Sequence, residues 1–317
     1  MTLQLEAADR ARLDGAEGPA MKLAMQLVAK AADILGAEEL APISFAHLDS
    51  CFYTGQVHLD FARFLKANKA RFAVPTWSNN GVVSLEQPEL KPESDNGETV
   101  RGARELMQLY AELGAVPTWT CAPYQLPGGP GFGDHIAVGE SNAVAYYNSV
   151  LGARTNKYGG YLDVACALIG KAPHAGLHLD KGRKAELHIS ILDLPERLRQ
   201  SSLFPHLLGH VVGRISGRLR PAISGIPKTV ARDGLKAISS AAAASGGVEM
   251  WHGISVTPEA PSPEDASELA KQYVLELPDF WRAQQDLTSA ADGPLDCVAL
   301  GTPHFPRASS SSRAESG

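Results

Sequence analysis

The sequence predicts an α/β fold with largely parallel sheets. Segments with helical apolar spacing alternate with short, near-continuous apolar runs, the pattern of strands buried between helices. Composition agrees: 317 residues, 44% apolar and 20% charged, are enough for a substantial core. The chemically versatile residues collect elsewhere. Cysteine, histidine, arginine, asparagine and paired glycines crowd onto connectors, above all over Cys121–Gly160 and Leu295–Phe305, where sites are usually built.

In chain order, Met21–Leu35 reads as an amphipathic helix because Ala24, Leu27, Val28, Ala31 and Leu35 recur at helical spacing. Leu59–Ala67 and Val100–Gly114 repeat that spacing, with Gly114 as a stop. Arg71–Trp77, Ala115–Cys121 and Leu187–Leu192 read as buried strands. Gln87–Glu98, rich in Pro, Glu, Asp and Asn, reads as a loop, and a further break falls at Glu259–Asp265. Ala143–Leu151 reads as an amphipathic helix, and no internal repeat stands out. Residues 1–305 are expected to form one domain, built either as a single unit or as two α/β subdomains without a fixed boundary. Residues 306–317, PRASSSSRAESG, change abruptly to low complexity and are expected to be a disordered tail.

Charge and pattern exclude several classes. A net charge of −6 without a basic run offers no nucleic-acid surface. No apolar stretch reaches the roughly 18 residues of a membrane span, and the first thirty residues lack the apolar region of a signal peptide. A cytoplasmic protein is the expectation. The run GGPGFGD fails the GxGxxG pattern because Asp134 occupies the last glycine position. GxxxxGK[ST], HExxH and GxSxG are all missing, so nucleotide, zinc-protease and serine-hydrolase readings have no motif behind them.

The four cysteines are Cys51, Cys121, Cys166 and Cys297, none at CxxC spacing. Cys121 ends a predicted strand before Ala-Pro-Tyr and the glycine-rich Pro127–Gly133 turn, a place for a soft metal ligand or for a small core residue. Cys297, in LDCVAL, is open to the same two readings. Cys166 falls on one apolar helical face and is assigned to the core. Cys51, in HLDSCFYTG, is a ligand, a substrate contact or a loop residue. Ser141 suits a helix N-cap, and the same helix start would attract a carboxylate. Arg154 carries a guanidinium fork suited to a carboxylate, with Asn156 beside it as a neutral donor. His135 is a candidate acid, base or orienting group, and Lys228 a candidate anion contact.

The ordered motifs CAPY, GDHIA, GESNAV, NSVLGARTN, GG, GLHLD, SGIPK, VTPEA and VALGTPH resemble the large subunit of the aconitase X family, from about Asp9 to Phe305. The resemblance implies layers like those of the aconitase superfamily and an iron-dependent hydro-lyase. The iron would be a [2Fe–2S] cluster or a mononuclear ion. It implies Cys121, the CxPY cysteine, as a ligand. Some members carry GCPH where this chain has Gly301-Thr302-Pro303-His304, which leaves Cys297 as a substitute. The substrate would be a small hydroxylated carboxylate, cis-3-hydroxy-L-proline first and phosphomevalonate as the alternative. A small swivelling-domain subunit would be the partner and could bring the catalytic base. The family pattern continues past TPHFS, whereas Pro306 stands here in place of the serine. A truncation or frame shift is therefore expected, with a third family cysteine lost. The corresponding alternative is an inactive remnant that only binds substrate or the small subunit.

Overall fold

Parallel strands joined by helices build both halves of the chain. The computed structural model describes residues 3–289 together with Gly293, Pro294 and Cys297. The chain divides into two compact units, Met1–Glu140 with Ala153–Gly182, and Ser141–Gly152 with Arg183–Gly317. The expected tail at 306–317 and the motif at 301–305 lie outside the described residues.

The first unit contains β1 (Leu40–Pro42), β2 (Phe45–Leu48), β3 (Thr76–Ser78), β4 (Val116–Pro117), β5 (Ile136–Val138) and β6 (Lys171–Pro173). Strands β4-β3-β2-β5 form an all-parallel sheet in that order, and β1 pairs antiparallel with β6. In the sheet Phe45 stands opposite Ile136 and His47 opposite Val138. Helices Gln56–Ala67 and Glu93–Glu112 make two of the three crossovers that parallel pairing requires, and the 118–135 connection makes the third. Ala46 and Leu48 point into the core with helix Leu162–Ile169, against which Ala24, Met25 and Val28 of helix Pro19–Leu35 also pack.

Several predicted boundaries move for local reasons. Only Thr76–Ser78 of the Arg71–Trp77 run is strand, because the Phe72 and Ala73 amides donate to the Leu113 and Ala167 carbonyls instead. The Ala115–Cys121 run keeps two strand residues, and both are exposed. It is the edge strand, Pro117 has no amide to donate, and Trp119 turns to φ +46°. The Gln87–Glu98 loop is partly helical, with a 3₁₀ turn at Pro88–Leu90 and a helix from Glu93. That helix breaks at Asn96, whose side-chain oxygen accepts from the Thr99 amide like an N-cap for the remainder.

In the second unit β7 (Leu187–Ser190), β8 (Pro221–Ser224), β9 (His252–Gly253) and β10 (Gln272–Val274) form a parallel sheet ordered β10-β7-β8-β9. Helices Phe204–Ser216 and Arg232–Gly246 pack tightly on each other. A Cβ on Gly246 would lie 1.9 Å from the Gly213 carbonyl oxygen, so only glycine permits this approach. The Ala143–Leu151 helix is buried on all sides rather than amphipathic. It is an α-helix over Ser141–Tyr146 running into a π-turn over Tyr147–Leu151.

Numbered within each sheet, both four-stranded parallel sheets have the order fourth-first-second-third. The sequence shows no repeat, yet the topology repeats. Among the described residues no helix is long and apolar enough to cross a membrane.

Candidate functional site

In the first parallel sheet the first and fourth strands are neighbours whose connections leave in opposite directions, toward β3 and toward the Arg154–Lys157 segment, the arrangement beside whose carboxyl ends α/β folds bind ligands. In the first unit those strands are β2 and β5. Asp49-Ser50-Cys51 follows β2, and Gly139 follows β5.

Asp163 organises this edge from beneath. It is the lone carboxylate in the otherwise apolar helix Leu162–Ile169 and is fully buried. Its Oδ2 accepts from the Asp49 amide at 2.9 Å and the Ser50 amide at 3.2 Å, and its Oδ1 from the Ser50 hydroxyl at 2.6 Å. Ser50 Oγ in turn accepts from the Tyr161 amide at 3.1 Å. Tyr161 sits at φ +75°, an uncommon conformation for a side chain of that size. The Asn79 amide nitrogen donates to Asp49 Oδ1 at 2.6 Å. Burial pushes the Asp163 carboxyl up to about 6, with the Asp49 charge adding to it against the Ser50 hydrogen bond. Burial also raises Asp49, offset by Asn79 and by the charges of Lys157 and His58. This edge therefore holds one carboxyl as an anchor and presents a second, partly exposed one.

The cysteines separate clearly. Cys51 is fully buried behind Asp49, and its thiol donates to the Asn79 carbonyl at 2.9 Å. Burial, then the charges of Asp49 and Asp163, push its thiol well up. Cys121 is also buried, in the connection after β4. Its preceding carbonyl, on Thr120, accepts from His47 Nε2 at 3.3 Å. Cys166 lies in the core, as predicted, and Cys297 is exposed. Among the described residues no three His, Cys, Asp or Glu side chains converge as a metal site. The donor set present here, a protonated Cys51 thiol and the buried Cys121, does not fit a complete iron centre by itself.

His135 and Arg154 stand at the opposite edge, beside the amino end of β5, bridged backbone to backbone. Five residues of strand, about 16 Å, separate the His135 level from Asp49. His135 Nδ1 lies 2.8 Å from His178 Nδ1, and His178 Nε2 lies 2.7 Å from the Tyr158 hydroxyl, the two imidazoles stacked at 3°. The fork read for a substrate carboxylate is engaged within the chain. Arg154 donates to the His178 carbonyl at 3.0 Å and to Asp180 at 2.5 Å. Asn156 is likewise committed, donating to the Ala175 carbonyl at 3.0 Å and accepting from the Leu177 amide at 2.8 Å. In the second unit Ser141 opens a six-residue helix, and Lys228 is exposed on the turn after β8.

Sequence reasoning found the HLDSC segment but took only its cysteine. Asp49, Ser50, Asn79 and Asp163 were missed. A carboxylate inside LDVACALI was the available signal, since such a group is buried only with partners.

The match to known proteins is decisive. Residues 2–181 match the model for the aconitase X first domain, and residues 185–280 that for the aconitase X second domain. The chain belongs to the aconitase X family. It is 38% identical over 313 residues to cis-3-hydroxy-L-proline dehydratase of Hypocrea jecorina, covering 96% of this chain and 52% of that protein. The Pseudomonas aeruginosa protein of the same name is 39% identical, covering 95% and 52%. The phosphomevalonate dehydratase large subunit of Methanosarcina mazei is 34% identical, covering 96% and 73%. The crystal structure of aconitase X from Thermococcus kodakaraensis, in its holo-form, superposes with a TM-score of 0.78 at 29% identity, over 91% of this chain and 70% of that one. The chain spans about half the length of the cis-3-hydroxy-L-proline dehydratases it matches.

Proposed function

We propose that the chain is the catalytic part of a hydro-lyase that removes water from cis-3-hydroxy-L-proline. The observation that carries this reading is the 38–39% identity to dehydratases of that substrate. The dehydratase acting on phosphomevalonate stands at 34% or below.

Dehydration requires a proton to leave the carbon beside the carboxylate and the departing hydroxyl to be stabilised. Asp49, half-buried at the sheet edge and braced by Asn79, is placed to hydrogen-bond that hydroxyl. Asp163 fixes the Asp49–Ser50 backbone and so sets where the carboxylate points. Iron, when bound, would supply Lewis-acid assistance to the leaving group. Cys121 is the donor we assign to it. Cys51 becomes a donor only if its thiol proton is lost, and Cys297 remains a further thiol to test. Arg154 and Asn156 hold the 175–180 loop. Within the second unit, Ser141 and Lys228 remain candidate anion contacts. A small subunit is the expected partner, as the name of the phosphomevalonate enzymes' large subunit suggests for that branch.

The test incubates the protein, with iron and the small-domain partner supplied, with cis-3-hydroxy-L-proline and separately with phosphomevalonate. Formation of a pyrroline carboxylate from the first alone is expected. Turnover of phosphomevalonate alone would move the assignment to that branch, and a requirement for a nicotinamide would overturn both.

A further inference from the structure

The SGIPK motif does more than place Lys228 on a turn. Its serine, Ser224, is the last residue of β8 and only 8% exposed. The Ser224 hydroxyl lies 2.7 Å from His188 Nε2 on β7, and His188 Nδ1 lies 2.6 Å from Gln272 Oε1 on β10. Three neighbouring parallel strands thus align a hydroxyl, an imidazole and an amide.

Gln272 fixes the proton positions. Its Nε2 donates to the carbonyls of Ala266 at 2.9 Å, Ser267 at 3.2 Å and Leu269 at 2.7 Å, closing the end of the Pro263–Ser267 helix. A flipped amide would set its oxygen against three carbonyl oxygens, so Oε1 faces the imidazole. An amide oxygen only accepts, and His188 therefore carries its proton on Nδ1. In its neutral form the ring has a bare Nε2, to which the Ser224 hydroxyl donates. Nucleophilic serine catalysis needs this polarity: a hydroxyl, a base free at the near nitrogen, and an acceptor holding the far one. Simple strand cohesion does not need it, because backbone ladders already join β10, β7 and β8.

We propose that Ser224, His188 and Gln272 form a nucleophilic triad, with Ser224 taking an acyl group from small activated esters. Ser224 Oγ bonds to the ester carbonyl carbon as its proton passes to His188 Nε2. The bond from that carbon to the alkoxide then breaks, and the alkoxide leaves with the proton from Nε2. Water, giving a proton to the same nitrogen, cleaves the acyl-serine, and Nε2 returns that proton to Ser224. An amide rather than a carboxylate faces the imidazolium, so turnover is slow compared with an aspartate triad. This activity is independent of the dehydration, and its failure leaves that reading untouched.

The test treats the whole chain with an alkyl fluorophosphonate, which reacts readily only with hydroxyls whose proton a neighbouring base accepts, and locates the adduct by peptide mass spectrometry. A single adduct on Ser224 is expected. Ser224→Ala should lose it, and His188→Ala should slow labelling by at least about 100-fold. Hydrolysis of p-nitrophenyl acetate should follow the same order. An unlabelled Ser224 in the native chain overturns the proposal whatever the variants do, and so does equally fast labelling of a folded His188→Ala.

Discussion

Gly139 stands where any side chain would collide with Asp163. A Cβ at this position would lie 2.7 Å from the Asp163 carboxylate and 2.9 Å from the Asp49 Cβ. The GES glycine is therefore the means by which β5 approaches the carboxyl edge of β2. Gly139→Ala should destabilise the chain by roughly 1–3 kcal/mol, the usual range for overpacking. Urea denaturation checks this, and an unchanged midpoint would show that the Asp49 segment yields freely.

Two buried groups make opposite contributions to pH-dependent stability. Burial lowers His47 from 6.5 to about 4, so its contribution is present above 6.5 and is lost as pH falls toward 4. Burial raises Asp163 from 3.8 to about 6, so its contribution is present below 3.8 and is lost as pH rises through 6. Each amounts to about 3 kcal/mol, and over the shared window the two slopes nearly cancel. His47→Asn should make stability fall with rising pH between 4 and 6, relative to the parent chain. Asp163→Asn should make it rise. Denaturation midpoints at four pH values suffice, and parallel curves for all three proteins would contradict the assignment.

Thiol reactivity should sort by burial and charge. Cys297 is exposed, whereas Cys51 and Cys166 are fully buried, with thiols raised by burial and by nearby carboxylates. Thiolates rather than thiols are alkylated. Iodoacetamide should modify Cys297 within minutes and reach Cys51 and Cys166 only on unfolding, as peptide mapping will show. Modification of Cys51 before Cys297 would mean that the Asp49–Cys51 loop opens in solution.

Periodicity located the helices from Pro19 to Leu35 and from Gln56 to Ala67 because each buries one long apolar stripe. It overextended the strands, since apolar character does not say where a backbone amide finds its acceptor. Phe72 and Ala73 are as apolar as any strand residue, yet they bond to helix ends. The repeated strand order was invisible because it depends on pairing across distant segments. The site was half legible. Motif density marked HLDSC and the GES glycine, but Asp163 gains its meaning from Ser50, 113 residues away in sequence. His135, read from GDHIA, and Arg154, read from NSVLGARTN, lie together at the amino edge of the sheet.

The most direct measurement of where the chemistry lies is the turnover of cis-3-hydroxy-L-proline by two variants of the reconstituted enzyme. Asp49→Asn keeps the shape of the carboxyl edge and removes its charge. His135→Gln alters the opposite edge. Asp49→Asn should lower kcat by on the order of 100-fold or more, with folding unchanged, while His135→Gln stays within a few-fold of the parent. The reverse pattern, an active Asp49→Asn and a silent but folded His135→Gln, would place the reaction at the amino edge and contradict the site described here.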